Sequence, residues 1–157
     1  MEKSTDIQVF WKTFLNSLPA DQRPAGMPEA WHFGDNPALA DELLDLVMDG
    51  VKTATCGSLW QYEAEGEKIP EPGELSIILD GAGTPACVVE TTEVEIKPYE
   101  QVDAGFAFNE GEGDRSLAYW RAVHWRFFSR TLPKIGRQPV ETMPLVCERF
   151  RVVFPRQ

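Results

Sequence analysis

Long apolar runs and paired cysteines are both missing from this sequence. No stretch approaches the roughly twenty consecutive apolar residues that a membrane span needs, so no membrane partner is expected. The chain has only three cysteines, Cys56, Cys87 and Cys147, and no two of them form a C-x-x-C pair. A disulfide framework and a cysteine zinc site are therefore not expected. Residues 1–6 also lack the apolar run of a secretory signal, and we expect a cytoplasmic protein.

Histidines and nucleotide-binding motifs are scarce as well. The two histidines, His32 and His124, have no partner at metal-ligand spacing, so a zinc cofactor is not expected. His124 falls on the apolar face of a predicted helix, which favours a core or cleft-lining role over that of a catalytic base. The chain contains no P-loop, no G-x-S-x-G motif and no dinucleotide glycine fingerprint.

Acidic residues outnumber basic ones, but unevenly along the chain. Fifteen Lys and Arg stand against 25 Asp and Glu, for a net charge of −10. Residues 1–80 account for all of that net charge, whereas residues 115–137 contain six basic residues and no acidic one. This balance disfavours indiscriminate binding to phosphate backbones, so double-stranded DNA is not an expected partner. A focused site for an anion is still allowed.

Hydrophobic periodicity predicts helices that flank a group of strands. Helices are predicted at residues 7–18, 37–49 and 115–131. Strands are predicted at residues 53–59, 75–79, 86–94 and 145–154. The second and third strands should pair as an antiparallel hairpin, and Asp114 should cap the third helix. Because the strands are grouped without βαβ alternation, the predicted class is α+β with a largely antiparallel, curved or barrel-like sheet.

A lysine at a predicted helix-to-strand turn is the first candidate for chemistry. Residues 50–55 are Gly-Val-Lys-Thr-Ala-Thr, which places Lys52 at the turn and the Thr55 hydroxyl three residues later. If burial lowered the pKa of Lys52, its amine could take the proton of Thr55 and make that hydroxyl a nucleophile. The alternative is an exposed lysine beside a strand threonine, with no chemical role.

A glycine-rich acidic segment before the third helix is the second candidate. Residues 106–114 are predicted to form a loop that carries Glu110, Glu112 and Asp114. Glu110 and Glu112 could pair with a cation, act as general acid or base, or ligate a hard divalent metal. The alternative is a solvated turn.

The basic side of the third predicted helix is the third candidate. Arg115, Tyr119, Arg126 and Arg130 project to one side, and Trp125 also lies off the apolar stripe. Arginines interleaved with aromatic rings can hold phosphates and stack bases. The same helix could instead simply offset the acidity of the rest of the chain.

Taken in order, these segments resemble the ASCH domain family, small β-barrel domains related to the RNA-binding PUA fold. Residues 50–55 match the family's G-x-K-x-x-[ST] signature. The other matching segments are Phe33-Gly34-Asp35, Pro72-Gly73, the strand Cys87–Val94, residues 107–114, Trp120 and residues 124–128. The chain looks like a member of the larger bacterial subgroup. The resemblance implies a PUA-like antiparallel β-barrel flanked by helices at residues 31–157, with residues 1–30 as an N-terminal helix and loop extension.

The resemblance also implies an activity on RNA or on a modified nucleoside. One branch of the family resembles an amidohydrolase that removes the acyl group of N4-acetylcytidine through a Lys, a Thr and a Glu. These roles fall on Lys52, Thr55 and Glu110, with Glu112 left open as a catalytic or metal-binding carboxylate. Another branch looks like a ribonuclease of single-stranded RNA. The expected partners are a nucleoside or a short single-stranded RNA, with no cofactor required and a divalent metal allowed.

Two alternatives come from other classes of protein. A non-catalytic RNA-binding module would keep Lys52 and the arginines but would not need the Thr55 hydroxyl. An interaction protein would use Trp60, Tyr62 or Trp125 as an exposed contact patch and would have no cleft.

Overall fold

The computed structural model describes residues 2–155, and all of its helices and strands lie there. Three terminal residues of the predicted regions 1–30 and 31–157 lie outside the described part, namely Met1, Arg156 and Gln157. The helices are α1 (Glu2–Asn16), α2 (Pro37–Met48), α3 (Leu59–Glu65), α4 (Ala104–Glu110) and α5 (Leu117–Thr131). The strands are β1 (Ala30–Trp31), β2 (Ala54–Ser58), β3 (Leu75–Leu79), β4 (Pro85–Pro98) and β5 (Pro144–Phe154). Short 3₁₀ turns cover Ala20–Gln22, Tyr99–Gln101 and Leu132–Ile135.

The strands form one mixed sheet in the order β1-β3-β4-β5-β2. All neighbours pair antiparallel except β1, which runs parallel to β3. The α+β class is therefore confirmed, and so is the hairpin of β3 and β4. Within residues 2–155 the edge strands β1 and β2 do not pair with each other, so the sheet is not a closed barrel. The pairing of the long strand β4 with β5 is irregular in register at Val88/Val89 and Thr91/Glu93, a feature of β-bulges, which bend a strand locally.

Helices cover both faces of the sheet. Successive strand residues point to opposite faces, so neighbouring residues of one strand pack against different helices. Ile78 of β3 packs with residues of α2 on one face. Its neighbour Ile77 packs with Trp11 and Phe14 of α1 on the other face. A third apolar cluster joins α4 and α5 to β2 and β5. None of the helices in the described residues is both long and apolar enough to cross a membrane.

The start of the third predicted helix differs from the prediction. The helix begins at Leu117, and its N-cap is Ser116, whose hydroxyl accepts a hydrogen bond from the Tyr119 amide at 3.0 Å. Asp114 instead accepts from the Ser116 amide at 2.9 Å, one step before the helix. Arg115 has a φ of 67°, a left-handed conformation that a helix cannot include. Arg115 is therefore not part of the basic helix face.

The predicted acidic loop is also partly helical. Residues 104–110 form α4, and Asp103 is its N-cap. The Asp103 carboxylate accepts a hydrogen bond from the Phe106 amide at 2.8 Å. Gly111 ends the helix with a φ of 77°, and a Cβ at this position would lie 2.8 Å from the carbonyl oxygen of Val51. Only glycine fits here, because the end of α4 packs directly on the backbone that precedes Lys52. The sequence interpretation also missed β1 and α3.

Candidate active site

Lys52 enters the protein interior from the turn between α2 and β2. The amides of Val51 and Lys52 both donate to the Leu46 carbonyl, at 2.9 and 3.0 Å, which fixes the turn. The Lys52 side chain is 1% exposed. The ammonium donates to the carbonyl oxygen of Ala54 at 2.9 Å and to the carboxylate of Glu110 at 3.0 Å. A third, longer hydrogen bond of 3.4 Å reaches the Glu110 carbonyl oxygen, so each ammonium proton has an acceptor.

The pKa of Lys52 moves in the direction opposite to the one assumed for a lysine base. Burial lowers this pKa, but attraction to Glu110 and Glu112 and the hydrogen bond to Glu110 together raise it above its ordinary value. The ammonium is therefore held charged. In this site Lys52 is a buried cation and not a ready proton acceptor.

Glu110 is the centre of the buried cluster. One carboxylate oxygen accepts from Lys52, and the other accepts from the indole Nε1–H of Trp120 at 2.6 Å. The second oxygen also lies 3.2 Å from Nε2 of His124. Burial raises the pKa of Glu110, but Lys52, His124 and the hydrogen bonds lower it to well below its usual range. Glu110 is therefore a permanently ionised carboxylate with its oxygens in use.

His124 contributes a second cation to the cluster. Its Nδ1 lies 2.8 Å from the carbonyl oxygen of Trp120, and a carbonyl only accepts, so Nδ1 carries a proton. Its Nε2 faces the Glu110 carboxylate, which also only accepts while it is ionised. Burial lowers the pKa of His124, but Glu110 and its hydrogen bond raise it above the ordinary value. The contacts favour the imidazolium form, stacked 4.2 Å from the Trp120 ring.

Glu112 is the second carboxylate beside Lys52, at 3.7 Å from Nζ. Its side chain is 16% exposed, in contrast to the enclosed Glu110. Burial raises the pKa of Glu112, Lys52 lowers it, and repulsion from Glu110 raises it again, with a net increase. The lysine thus faces both glutamates, with a direct hydrogen bond to Glu110 and a looser ion pair to Glu112.

A cleft of about 340 Å³ lies above this cluster. That volume falls in the range of small-molecule sites. Its polar residues are Lys52, Thr55, Cys56, Glu110, Glu112 and His124. Its apolar wall comes from α2 and α5, namely Leu39, Leu43, Val123 and Phe127. Arg126 and Arg130 also line this cleft, and Arg130 forms an exposed ion pair with Asp35 at 3.2 Å.

Thr55 lies where this cleft meets a second one. The second cleft, of about 300 Å³, shares Phe33, Gly34, Thr55 and Cys56 with the first. Its remaining lining includes four glutamates and one lysine, together with Trp31 and Tyr62; the charged residues are Glu29, Glu67, Glu74, Glu148 and Lys68. We name it the acidic cleft and the first one the lysine cleft. A ligand centred on Thr55 would therefore meet a mixed cluster of cations and carboxylates on one side and a mainly acidic lining on the other.

The predicted ligand contacts divide into two groups. Arg126 and Arg130 reach the lysine cleft, but Arg115, Tyr119 and Trp125 do not line it. Arg115 lies over the Phe108 ring and donates to the carbonyl oxygens of Phe108 and Val51, at 2.9 and 3.3 Å. Trp125 packs on Tyr99 and lines a shallow cleft on another side of α5. The Tyr119 ring fills the space that a side chain at residue 113 would take.

One group of residues has the donors of a metal site. The ligand atoms of Cys56, Glu110 and His124 lie within 4.8 Å of one another, a nitrogen, oxygen and sulfur set of the kind that zinc takes. Both Glu110 oxygens already have partners, since one accepts from Lys52 and the other accepts from Trp120 and faces His124. Burial also raises the pKa of the Cys56 thiol well above its ordinary value, which opposes a thiolate ligand. For a hard cation at Glu110 and Glu112, the Lys52 ammonium is a direct competitor.

The sequence interpretation missed Trp120 as a hydrogen-bond donor and Cys56 as a cleft residue. Trp120 and His124 lie four residues apart, so both meet the same surface from one side of a helix. Because buried indole and imidazole nitrogens need partners, that spacing on an apolar stripe indicates buried hydrogen-bond acceptors nearby, without saying which groups they are. His124 itself is in the cleft-lining position that was predicted for it.

Comparisons with known proteins support the resemblance noted in the sequence. A family model described as the ASCH domain matches residues 29–154. The crystal structure of an ASCH domain from Lactobacillus crispatus JV V101 has a TM-score of 0.88 and 35% identity, over 95% of this chain and 94% of that one. Protein EF3133 from Enterococcus faecalis V583 has a TM-score of 0.86 and 40% identity, over 95% and 88%. No curated protein matches this chain.

Proposed function

The chain belongs to the ASCH domain family, and we propose that it is a hydrolase whose substrate, a modified nucleoside or a short single-stranded RNA, binds in the lysine cleft. One observation carries the proposal: a fully buried ammonium, Lys52, lies between two carboxylates at the floor of a cleft that also contains a hydroxyl. Replacing a buried ion pair by apolar side chains is often neutral or stabilising, so stability alone does not explain this one. Charged clusters of this kind in clefts are typical of functional sites.

Amide hydrolysis is the reaction that we favour. The Thr55 oxygen would attack the acyl carbonyl, the C–N bond would break with release of the amine, and water would then hydrolyse the acyl-threonine ester. Lys52 would act as a fixed cation for the carbonyl oxygen as negative charge develops there. Its longest hydrogen bond, to the Glu110 carbonyl, is the one that a substrate oxygen would replace. Glu110 would position and hold that cation.

The size and charge of the two clefts favour a small substrate. Each cleft has a volume in the range of small-molecule sites, at about 340 and 300 Å³. The carboxylates of the acidic cleft would repel a run of phosphates but accept hydrogen bonds from a nucleobase. Arg126 and Arg130, at the lysine cleft, would bind one or two phosphates. A nucleoside or nucleotide therefore suits the pair of clefts better than a long RNA.

RNA binding without turnover is the second candidate. It is favoured by the exposed guanidinium of Arg126, which needs no chemistry to hold a phosphate. A pure interaction protein receives less support, because Trp60 packs under the Arg137 guanidinium and Tyr62 lines the acidic cleft. The two candidates differ in whether the Thr55 hydroxyl is needed.

The test is a turnover assay with two substrates. Purified protein is incubated with N4-acetylcytidine and, separately, with a short single-stranded RNA, each with and without Mn²⁺. We expect acetate release that falls at least about 100-fold in Thr55→Ala, because a missing nucleophile removes the covalent route. Thr13→Ala, which removes an exposed hydroxyl on α1, is the matched control and should behave as wild type. RNA bound equally by wild type and Thr55→Ala, with neither substrate turned over, would support the binding module instead.

A further inference from the structure

Resting on the proposed function, we propose that Glu112 is the carboxylate that exchanges protons with substrate and with Thr55, and that Glu110 is a positioning residue. The family resemblance assigns the catalytic Glu to Glu110. The surroundings of the two carboxylates support the opposite division of roles.

Glu110 has no oxygen left for a substrate. Lys52, Trp120 and His124 all contact its two carboxylate oxygens, at 3.0, 2.6 and 3.2 Å. Its side chain is 2% exposed. To accept a proton it would have to give up contacts with two cations, Lys52 and His124. A general base instead needs an oxygen within hydrogen-bond reach of the reacting group.

Glu112 has the freedom that Glu110 lacks. Within residues 2–155 its carboxylate makes one ion pair, to Lys52 at 3.7 Å, and accepts no hydrogen bond. It is partly exposed and lines the same cleft as Thr55. The loop that carries it begins at Gly111, which is pressed against the Val51 backbone and so fixes where the loop leaves α4. Glu112 can therefore approach a bound substrate without dismantling the buried cluster.

Charges from every neighbouring element bear on Glu112. Lys52 comes from the turn before β2, Glu110 from α4, His124 from α5 and Glu42 from α2. The two cations favour its ionised form, whereas burial and the two other carboxylates favour its protonated form, and the net result is a raised pKa. Two carboxyl groups whose pKa values are pushed apart commonly divide into a proton-transferring group and a permanent anion.

The proposed steps balance with water as the only co-reactant. Glu112 takes the Thr55 proton as the oxygen–carbon bond forms, and the carbonyl electron pair moves to oxygen. As the C–N bond breaks, Glu112 gives that proton to the departing amine nitrogen. It then takes a proton from the water that attacks the acyl ester, and it returns the proton to Thr55 as the carboxylic acid leaves.

The first experiment compares Glu112→Gln, Glu110→Gln and the exposed control Glu100→Gln in N4-acetylcytidine turnover between pH 4 and 9. We expect Glu112→Gln to lower kcat by about 100-fold or more, to unfold at the wild-type urea concentration and to lose the acid limb of the pH–rate profile. Glu112→Asp should recover part of the lost kcat and part of the acid limb of the pH–rate profile. If Glu112→Gln kept the rate and the acid limb while a folded Glu110→Gln lost them, the proposal would be overturned.

The second experiment does not depend on turnover. Glutamate carboxyl groups are labelled with ¹³C, and their chemical shifts are followed against pH in wild type and in both Gln variants. We expect the signal lost in Glu112→Gln to titrate above the ordinary range and the signal lost in Glu110→Gln to titrate below it. The reverse order would overturn the proposal even for a protein that binds RNA and turns over neither substrate. Absence of turnover with the expected order would count against the proposed function alone.

Discussion

The lysine cleft and the acidic cleft lie on either side of Thr55 and treat a buried glutamate in opposite ways. Glu110 is surrounded by two cations and an indole N–H, and it stays ionised. Glu148 in the acidic cleft is buried with the Thr91 hydroxyl as its hydrogen-bond donor, and burial raises its pKa. The same residue type therefore becomes a fixed anion in one cleft and a group biased towards the neutral acid in the other. The neighbouring groups therefore decide whether a buried glutamate is ionised, and burial alone does not.

Removing Lys52 should have the largest effect on this comparison. In Lys52→Ala, Glu110 loses its main cation inside the protein, so the free energy of unfolding should fall by about 3–5 kcal/mol. Turnover of N4-acetylcytidine should also be lost in Lys52→Ala. Urea unfolding and the acetate-release assay measure the two effects.

Two companion variants separate stability from chemistry. Lys12→Ala, an exposed lysine on α1, should change neither quantity. Lys52→Met combined with Glu110→Gln removes both charges and should recover stability without activity. If Lys52→Ala were as stable as wild type, the ion pair of Lys52 and Glu110 would not contribute to the free energy of unfolding.

The indole donor to Glu110 should matter next. Trp120→Phe keeps an aromatic ring but removes the Nε1–H, so the free energy of unfolding should fall by about 1–3 kcal/mol. Trp125→Phe is the matched change on the other side of α5, where the ring packs on Tyr99. Its effect should be clearly smaller in the same urea unfolding measurement, and equal losses would argue against a special role for the Glu110 contact.

The two buried glutamates should give stability curves of opposite slope against pH. The lowered pKa of Glu110 stabilises the fold above the ordinary value of 4.5, and this contribution is lost as the pH falls. The raised pKa of Glu148 stabilises the fold below 4.5, and that contribution is lost as the pH rises through the folded-state pKa. Urea unfolding of wild type, Glu110→Gln and Glu148→Gln from pH 3 to 8 measures both slopes, that of Glu110 below pH 4.5 and that of Glu148 above it. Slopes of the same sign would contradict the comparison.

The smallest effect is expected from an arginine at the lysine cleft. Arg126→Gln should weaken binding of a short single-stranded RNA a few-fold and lower the salt-dependence slope by about one. Arg121→Gln, an exposed arginine of the same helix outside both clefts, is the control. Fluorescence anisotropy at several salt concentrations reports both values, and an unchanged slope in Arg126→Gln would remove Arg126 from the proposed phosphate contact.

Patterns of apolar residues were enough to predict most of the sheet. The hairpin of β3 and β4 and the final strand follow from runs of apolar and β-branched residues, and turn residues mark the ends of the hairpin strands. Because both faces of the sheet are covered, buried residues in these strands are consecutive, as at Ile77 and Ile78. Short elements without such a pattern were missed. Strand β1 has two residues, and α3 and α4 have seven each, too short for helical periodicity to be visible.

The site was predictable to the extent that it resides in local motifs. Lys52, Thr55 and the two glutamates were candidates from the turn and from the acidic segment, and their predicted roles came from the resemblance to the ASCH family. The partners of Glu110 on α5 were not. Whether Trp120 and His124 face a carboxylate depends on how α4 packs on the strand that follows Lys52, and no local rule encodes that distance.

By itself the sequence determined the class of the fold and its candidate chemistry, since periodicity and turn residues act over a few neighbouring positions. Only the tertiary structure decided that Lys52 stays charged, that both Glu110 carboxylate oxygens are in use and that Glu112 makes only a looser ion pair with Lys52. Those outcomes depend on electrostatic interactions that fall off over a few ångströms, between side chains far apart in the sequence, such as Lys52 and Glu110 at a separation of 58 positions. The amide of Thr53 donates to the Asn109 carbonyl at 2.7 Å, and that long-range backbone contact brings the two halves of the site together.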